Sequence, residues 1–339
     1  MELENKYKLT IAIPTYNGEK TIENLLDSLI MQCNESVELL IVDNCSMDNT
    51  PNIINKYKND YSKLKYVRND ENIGPDANFL KCMKLAEGEY TWLISDDDVV
   101  TDNAIKNVLN YIEKYKDISL IYATTVDFRG KYEGIENCQN HKPLADNDIY
   151  TNDKKIFMKY AGYYWGFMSS FICNTNKFNE INNPERFYGT YWLQSYIHAL
   201  CAKEKDSYLG IISSPCIGAG IYVNVPNYDS ATVNGIYYKK MFDFMIKECN
   251  YDKKQLNKLY SKRICHLSRH DIIKEKASNE KKINKKTLYQ CTCRLLNAWI
   301  TVYPLFLIPS FLCRKALEIY KRNRGMKAAI VNNRPLGRS

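Results

Sequence analysis

The sequence predicts an α/β fold with a mostly parallel sheet flanked by helices, followed by a helical, basic C-terminal region. Three observations predict it. Short apolar runs alternate with helix-spaced segments over the first hundred residues, the pattern of a parallel sheet covered on both faces. Three of those runs stop on unusual polar residues: Pro14-Thr15-Tyr16-Asn17, Asp43-Asn44 and Asp96-Asp97-Asp98. The charge is also divided, since residues 1–230 carry 23 Lys and Arg against 32 Asp and Glu, whereas residues 231–339 carry 24 against 7.

Leu9 to Pro14 reads as a buried strand ended by proline. Ile22, Leu25, Leu26, Leu29 and Ile30 then have the spacing of an amphipathic helix over Thr21–Cys33. Val37 to Val42 is a second strand, Thr50 to Tyr61 a helix, and Leu64 to Val67 a third strand. A helix over Asn78–Ala86 and a fourth strand over Tyr90–Ile94 complete the alternation. Ligands of such sheets bind beyond the carboxyl ends of the strands, so the three polar endings should converge on one crevice. Gly130 to Asp153 is weakly patterned and reads as a long loop; Ser169 to Cys173 is strand-like, and the chain is helical and Lys-rich from Tyr237.

Three consecutive carboxylates repel one another, and opening them toward a divalent cation removes the conflict, because Mg²⁺ and similar hard ions prefer carboxylate oxygens. A solvated turn with an Asp helix cap is the alternative reading. The twelve cysteines are spread singly apart from Cys291-Thr292-Cys293, which argues against a zinc knuckle. The polar start, Met1-Glu2-Leu3-Glu4-Asn5-Lys6, carries no secretory signal, so the thiols are expected to stay reduced in the cytoplasm.

These pieces, in this order, resemble the family 2 glycosyltransferases, whose fold is GT-A. The resemblance rests on Ile11 to Asn17, Glu38 to Thr50, Asn72-Ile73-Gly74-Pro75, Gly88-Glu89-Tyr90 and the acidic cluster. The form of Asn72 to Phe79 looks most like the branch of abequosyltransferases and similar O-antigen or capsule sugar transferases. The resemblance implies transfer of a sugar from a nucleotide-sugar donor to a saccharide acceptor, lipid-linked in many relatives, with inversion at the anomeric carbon. It assigns donor contacts to Pro14, Thr15, Tyr16, Asn17, Asp43, Asn44, Asn72, Gly74, Asn78 and Asp96. Relatives carry Asp-x-Asp-Asp where this chain reads Ser95-Asp96-Asp97-Asp98, so Mn²⁺ or Mg²⁺ is expected on Asp97 with support from Asp98. The general base of relatives lies in a Glu-Asp pair, but here Phe187 to Trp192 offers no carboxylate. Glu185 is the nearest candidate and His198 a weaker one. Tyr164, Trp165, Tyr191 and Trp192, beside glycines, are expected to form the acceptor surface, with core packing as the alternative for each ring. A nucleotidyltransferase would want a Gly-rich basic loop after the first strand, which Tyr16-Asn17-Gly18 does not supply. A catalytically silent nucleotide-sugar-binding scaffold of a polysaccharide assembly complex is the second reading.

The expected organisation is a domain over 1–230, with a donor half at 1–110 and an acceptor half at 150–230. A basic membrane-docking region over 231–324 and a disordered tail over 325–339 follow. Leu295 to Cys313 holds nineteen uncharged residues bracketed by Arg294 and Arg314-Lys315, nearly the roughly 20 needed to cross a bilayer. Pro304 and Pro309 break a straight helix, while Trp299 and Tyr303 suit the headgroup region. The segment therefore reads as an interfacial docking element on an anionic membrane, peripheral at the inner face of the cell membrane, with a helical core or a true span as alternatives. Nucleic acid is not an expected partner.

Overall fold

The strands Tyr7–Thr15, Val37–Asp43 and Gly88–Leu93 are buried on both faces over most of their length, which is why they read as continuous apolar runs and not as alternating ones. The computed structural model describes residues 6–61, 63–128, 130–138, 142–220, 229–278 and 283–323; the expected tail at 325–339 lies outside them. The first half runs β1 (Tyr7–Thr15), α1 (Ile22–Ile30), β2 (Val37–Asp43), α2 (Thr50–Asp60), β3 (Leu64–Arg68), α3 (Pro75–Leu85) and β4 (Gly88–Leu93). Then come β5 (Val99–Val100), α4 (Ala104–Lys114), β6 (Ile118–Phe128), β7 (Ile149–Thr151), α5 (Lys154–Ala161), β8 (Phe171–Asn174), α6 (Thr175–Asn179), α7 (Leu193–Cys201) and β9 (Tyr208–Gly220). Helices α8 (Tyr238–Glu248), α9 (Lys253–Ser278), α10 (Lys285–Thr292), α11 (Leu296–Thr301) and α12 (Ser310–Asn323) follow.

Among the described residues the strands form one sheet in the order β3-β2-β1-β4-β8-β6-β9-β5, with β7 on β9. β1 is parallel to both neighbours, in register from Leu9 opposite Val37 to Thr15 opposite Asp43, and with Leu9 opposite Tyr90 on β4. β8 is antiparallel to β4 and β6, and β9 returns parallel to β6. The β3-β2-β1-β4 half is the parallel, helix-flanked sheet that the alternation predicts, whereas beyond β4 the pairings are mixed, with β8, β5 and β7 all antiparallel to their neighbours. The chain turns from β1 to β2 on one side and reaches β4 on the other, so the crevice for a ligand opens past the ends of β1 and β4.

Gly88 has a mechanical reason to be glycine. A Cβ there would lie 2.5 Å from the Thr10 backbone nitrogen, so only glycine lets β4 start this close to β1. Its amide donates to Thr10 Oγ1 (2.8 Å), and Thr10 Oγ1 donates to the buried Glu38 (2.6 Å). α3 begins at Pro75, three residues before the expected start, because proline fits the first helical position and Gly74 turns into it at φ +85°. The Gly130–Asp153 segment holds β7 as well as loop, and β8 begins at Phe171, two residues later than expected, because Met168–Ser170 form a short 3-10 turn.

By contacts, Met1–Asn227 and Tyr237–Leu259 make one unit, and Tyr228–Ile236 with Tyr260–Ser339 a second. In the first, α7 sinks into the core beside β8: the His198 ring lies 5.1 Å from that of Phe171. Full burial pushes the His198 pKa from 6.5 down to about 3, so this imidazole is a neutral core residue and not the base considered from the sequence. In the second unit, the Tyr260 hydroxyl donates to the Gly235 and Cys291 carbonyls, and Ile264, Leu288, Ala298 and Val302 are buried. No single helix among the described residues is long and apolar enough to cross a membrane; Leu296–Leu307 and Ser310–Ile319 pass that test together but are bent by 110°.

The His198 pKa is lower folded than unfolded, so the unfolded chain takes up the proton first as pH falls. The stability tied to neutral His198 is present above about pH 6.5 and is lost below it, at about 1.4 kcal/mol per pH unit. Between pH 7 and pH 5, urea denaturation of the parent chain should lose roughly 2 kcal/mol more than that of His198→Phe. Parallel profiles would contradict this.

Candidate functional site

The end of β1 is pinned to the turn after β4 through Asp96. Thr15 Oγ1 donates to Asp96 Oδ2 at 2.5 Å, and the Thr15 carbonyl accepts from the Asn44 amide at 2.8 Å. Gly18 makes room for it, because a Cβ there would lie 2.5 Å from Asp96 Oδ2. Asn17 tolerates φ +55°, its amide donates to Ser46 Oγ (2.9 Å), and its side-chain oxygen accepts from the Met47 amide (2.9 Å). The result is a hollow of about 570 Å³ lined by Tyr16, Asn17, Gly18, Met47, Asp48 and Asp96 among others, with the Tyr16 ring exposed. A hollow of equal volume lies by the opposite ends of β1 and β4, among Lys8, Glu89, Lys106 and Glu113. It lies away from all three polar strand endings, and we assign it no role.

The three carboxylates point to three different partners. Asp98 is 2% exposed, and its oxygens accept from Ser169 Oγ (2.6 Å) and the Gly220 amide (3.0 Å). Asp97 is only partly buried; its Oδ1 accepts from Ser95 Oγ (2.6 Å), and its Oδ2 has no hydrogen-bond partner among the described residues. Burial pushes Asp96 up to about 7 and Asp98 up to about 8, and the Asp97 charge pushes in the same direction. The expected metal role of Asp98 is corrected here: both of its oxygens are committed to holding β8 and β9 against the turn. Among the described residues no three His, Cys, Asp or Glu side chains converge to hold an ion. The open oxygen of Asp97 and the carboxyl groups beside it fit a different arrangement. They suit a divalent cation that shares one or two protein carboxylates with the phosphates of a ligand, the usual habit of Mg²⁺.

Behind the hollow, amide side chains set the loop after β3. Asn44 donates to Asn72 Oδ1 (2.8 Å) and accepts from the Ile73 amide (2.9 Å) and from Asn69 (3.0 Å). Asn72 Oδ1 also accepts from the Gly74 amide (2.9 Å), leaving Asn72 exposed at the rim. Asn78, expected to touch the donor, is buried and instead donates to the Val42 carbonyl (2.9 Å) while accepting from Asn69 (2.9 Å). Asp43 is buried too: it accepts from the Ser46 amide and the Tyr66 hydroxyl (both 2.8 Å), with Arg68 Nε 3.4 Å away. Both residues therefore brace the rim from inside, a correction to their expected contact with a ligand. Pro14 is buried under the same rim.

The acceptor-side expectations divide. The Tyr191 ring is 47% exposed and stacks on Tyr237 at 6.0 Å, and Tyr164 is half-buried beside Tyr122. Trp165 and Trp192 are core residues, which corrects their assignment. Trp165 meets Phe171 edge-on at 5.1 Å, and Trp192 covers Gly166 so closely that a Cβ there would lie 2.5 Å from the indole. Glu185 is on the surface in an ion pair with Lys84 (2.5 Å), which holds its carboxyl below the usual range and makes it a weaker base. Lys84 is also eight residues along α3 from Asp76, roughly 12 Å farther from the crevice end of that helix. Glu185 is corrected accordingly.

The carboxylate that does meet the 187–192 loop is Asp76, which the sequence reading passed over because an acidic residue in a first helical turn is ordinary. Asp76 Oδ2 accepts from the Gly189 amide at 2.7 Å, and the Thr190 and Tyr191 amides also donate to this carboxylate. Burial raises its pKa while the three amides oppose the shift. The loop bends through φ +75° at Gly189 and +61° at Tyr191 to turn its amides inward.

The sequence profile described as Glycosyl transferase family 2 matches residues 10–174, from β1 through β8. This segment, just under half of the chain, is what resembles that family. It is 27% identical over 220 residues to the abequosyltransferase RfbV of Salmonella typhimurium, covering 62% of this chain and 65% of that protein. It is 25% identical over 221 residues to the GalNAc(5)-diNAcBac-PP-undecaprenol beta-1,3-glucosyltransferase of Campylobacter jejuni, covering 60% of this chain and 62% of that one. Both alignments span less than two thirds of the relative's own length. The S. aureus TarS 1-349 structure in complex with UDP-GlcNAc superposes with a TM-score of 0.58 at 17% identity, over 94% of this chain and 92% of that one. The fold is therefore GT-A.

Asp76→Ala should strand three inward amides and destabilise the protein by about 1–3 kcal/mol. Urea denaturation measures the loss, and amide exchange should accelerate first at Gly189, Thr190 and Tyr191. Unchanged exchange there would remove the role assigned to Asp76.

Proposed function

We propose that this protein is an inverting glycosyltransferase that moves a sugar from a nucleotide-sugar donor to a lipid-linked saccharide acceptor in surface polysaccharide synthesis, of the O-antigen or capsule kind. The observation that carries the reading is the convergence of the β1, β2 and β4 endings on one crevice, with the open carboxylate of Asp97 at its edge. The family 2 match over residues 10–174 and the resemblance to an abequosyltransferase and to a glucosyltransferase of an undecaprenol-linked substrate support it.

In this reading the nucleotide lies over Thr15, Tyr16 and Asn17, with Asn72 and Gly74 at the rim near the ribose and phosphates. Asp97, with Asp96 behind it, would hold Mn²⁺ or Mg²⁺ together with the diphosphate. Such an ion supplies neutralisation of the charge that develops on the departing nucleotide. Thr15 keeps the Asp96 carboxylate turned toward β1, which leaves Asp97 to face the ligand. Exposed Tyr188 and Tyr191 offer ring faces and hydroxyls to the acceptor sugar, on the loop that Asp76 braces. The acceptor reaches this loop from a membrane, which places the protein peripherally at the inner face of the cell membrane, on anionic lipid.

One observation favours the scaffold reading instead: among the described residues the 187–192 loop presents no carboxylate side chain of its own, and Asp76 is enclosed by amides. A panel of nucleotide sugars read by thermal shift and donor hydrolysis, with and without Mn²⁺, separates the two. The transferase reading expects a Mn²⁺-enhanced shift and turnover. Binding with no turnover across donors and acceptors would leave only the scaffold.

Asp97→Ala should lower donor turnover by about 100-fold or more and abolish the Mn²⁺-dependent part of the thermal shift. Wild-type turnover in that variant would end the assignment.

A further inference from the structure

The second unit carries an apolar bend that its own core does not use. Leu296, Trp299 and Ile300 recur at helical spacing on one face of α11 and are all exposed, Leu296 at 76%. Around the bend into α12, Leu307 is 86% and Phe311 65% exposed, with Leu312 beside them, while Ala298, Val302 and Cys313 are buried beneath. So many large apolar side chains outside a core mark an interaction surface.

The bend is also built to hold its shape. Pro309 has no amide proton, so the helical ladder stops at the carbonyls that end the Tyr303–Leu307 turn, of which Leu305 takes the Ile308 amide at 3.3 Å. One ammonium serves them: Lys276 Nζ, from α9, donates to the carbonyls of Leu305 (3.0 Å), Phe306 (2.7 Å) and Ile308 (2.5 Å). The Trp299 indole donates to the Cys293 carbonyl (2.8 Å), and its ring lies 4.6 Å from that of Tyr303. Backbone carbonyls that enter lipid must find partners within the protein, because no water follows them. Lys276 meets that requirement where the chain is most exposed.

The charge around the bend chooses the occupant. Over residues 283–323 the chain carries seven Lys and Arg against a single Glu, and Arg294, Arg314 and Lys315 at the edges of the apolar run are exposed. A second copy would set this charge against itself, whereas an anionic bilayer meets both the charge and the apolar tip. We infer that the bend between α11 and α12 is a preformed wedge that enters the surface of an anionic bilayer with Leu307 and Phe311, held at the headgroups by Arg294, Arg314 and Lys315. This deepens the membrane clause of the proposed function and is independent of the transfer chemistry.

The test is flotation of the full chain with vesicles of phosphatidylcholine alone and with about 30% phosphatidylglycerol. The parent chain should float with the anionic vesicles. Leu307→Glu/Phe311→Glu should bind them about tenfold or more weakly, and Arg314→Gln/Lys315→Gln should lose the preference for phosphatidylglycerol. Both changes lie on the surface, and unchanged helicity by circular dichroism confirms that the variants fold. No flotation of the parent chain would overturn the wedge and the membrane clause together. Equal flotation of Leu307→Glu/Phe311→Glu would overturn the wedge alone. A parent dimer that this variant makes monomeric, with vesicle binding unchanged, would assign the face to a second copy.

Discussion

Three adjacent carboxylates cannot share one crevice unless something separates them, and the architecture around the end of β4 is the means of separation. Asp96 goes to Thr15 at the end of β1, Asp98 goes inward to Ser169 and the Gly220 amide, and Asp97 stays partly exposed. The strand order makes this possible, since β1 lies on one side of β4 and β8 on the other. Gly18 and the 3-10 turn at Met168–Ser170 follow from the same constraint: one makes room for a carboxylate, and the other brings a hydroxyl to it. The burial that raises Asp96 and Asp98 leaves Asp97 as the carboxylate with an open oxygen.

The second requirement is a rim that keeps its shape without regular structure. Asparagines supply it, because one side-chain amide both donates and accepts. Asn44, Asn69, Asn72 and Asn78 join the end of β2 to the loop before α3 in a continuous network, and α3 carries Asp76 to the 187–192 loop. The rim and the aromatic loop are thus tied to the same short helix, through groups that a ligand need not touch.

Outside the sheet the physics changes. The second unit has a modest core, and its longest apolar segment is turned outward. Prolines prevent that segment from continuing as one helix, and Lys276 donates to three carbonyls at the break. Uncharged length alone reads as a near-span; the two prolines and one ammonium make it a bend.

The alternation of apolar runs and helical spacings determined the parallel sheet, because burial on both faces leaves a local signature in each strand. The same local signals placed the β1, β2 and β4 endings together, and they marked the acidic cluster and the bracketed apolar segment. What they could not supply was direction. Asp43, Asn78, Trp165 and Trp192 sit within the expected segments but turn inward, since a side chain's facing depends on which neighbours close over it. Whether Asp97 or Asp98 stays open was decided by Ser169 and Gly220, 71 and 122 positions away. Asp76 met its loop across 113 positions. Local pattern determined which elements form and where they end; long-range packing decided which of their polar groups brace the crevice and which remain open to a ligand.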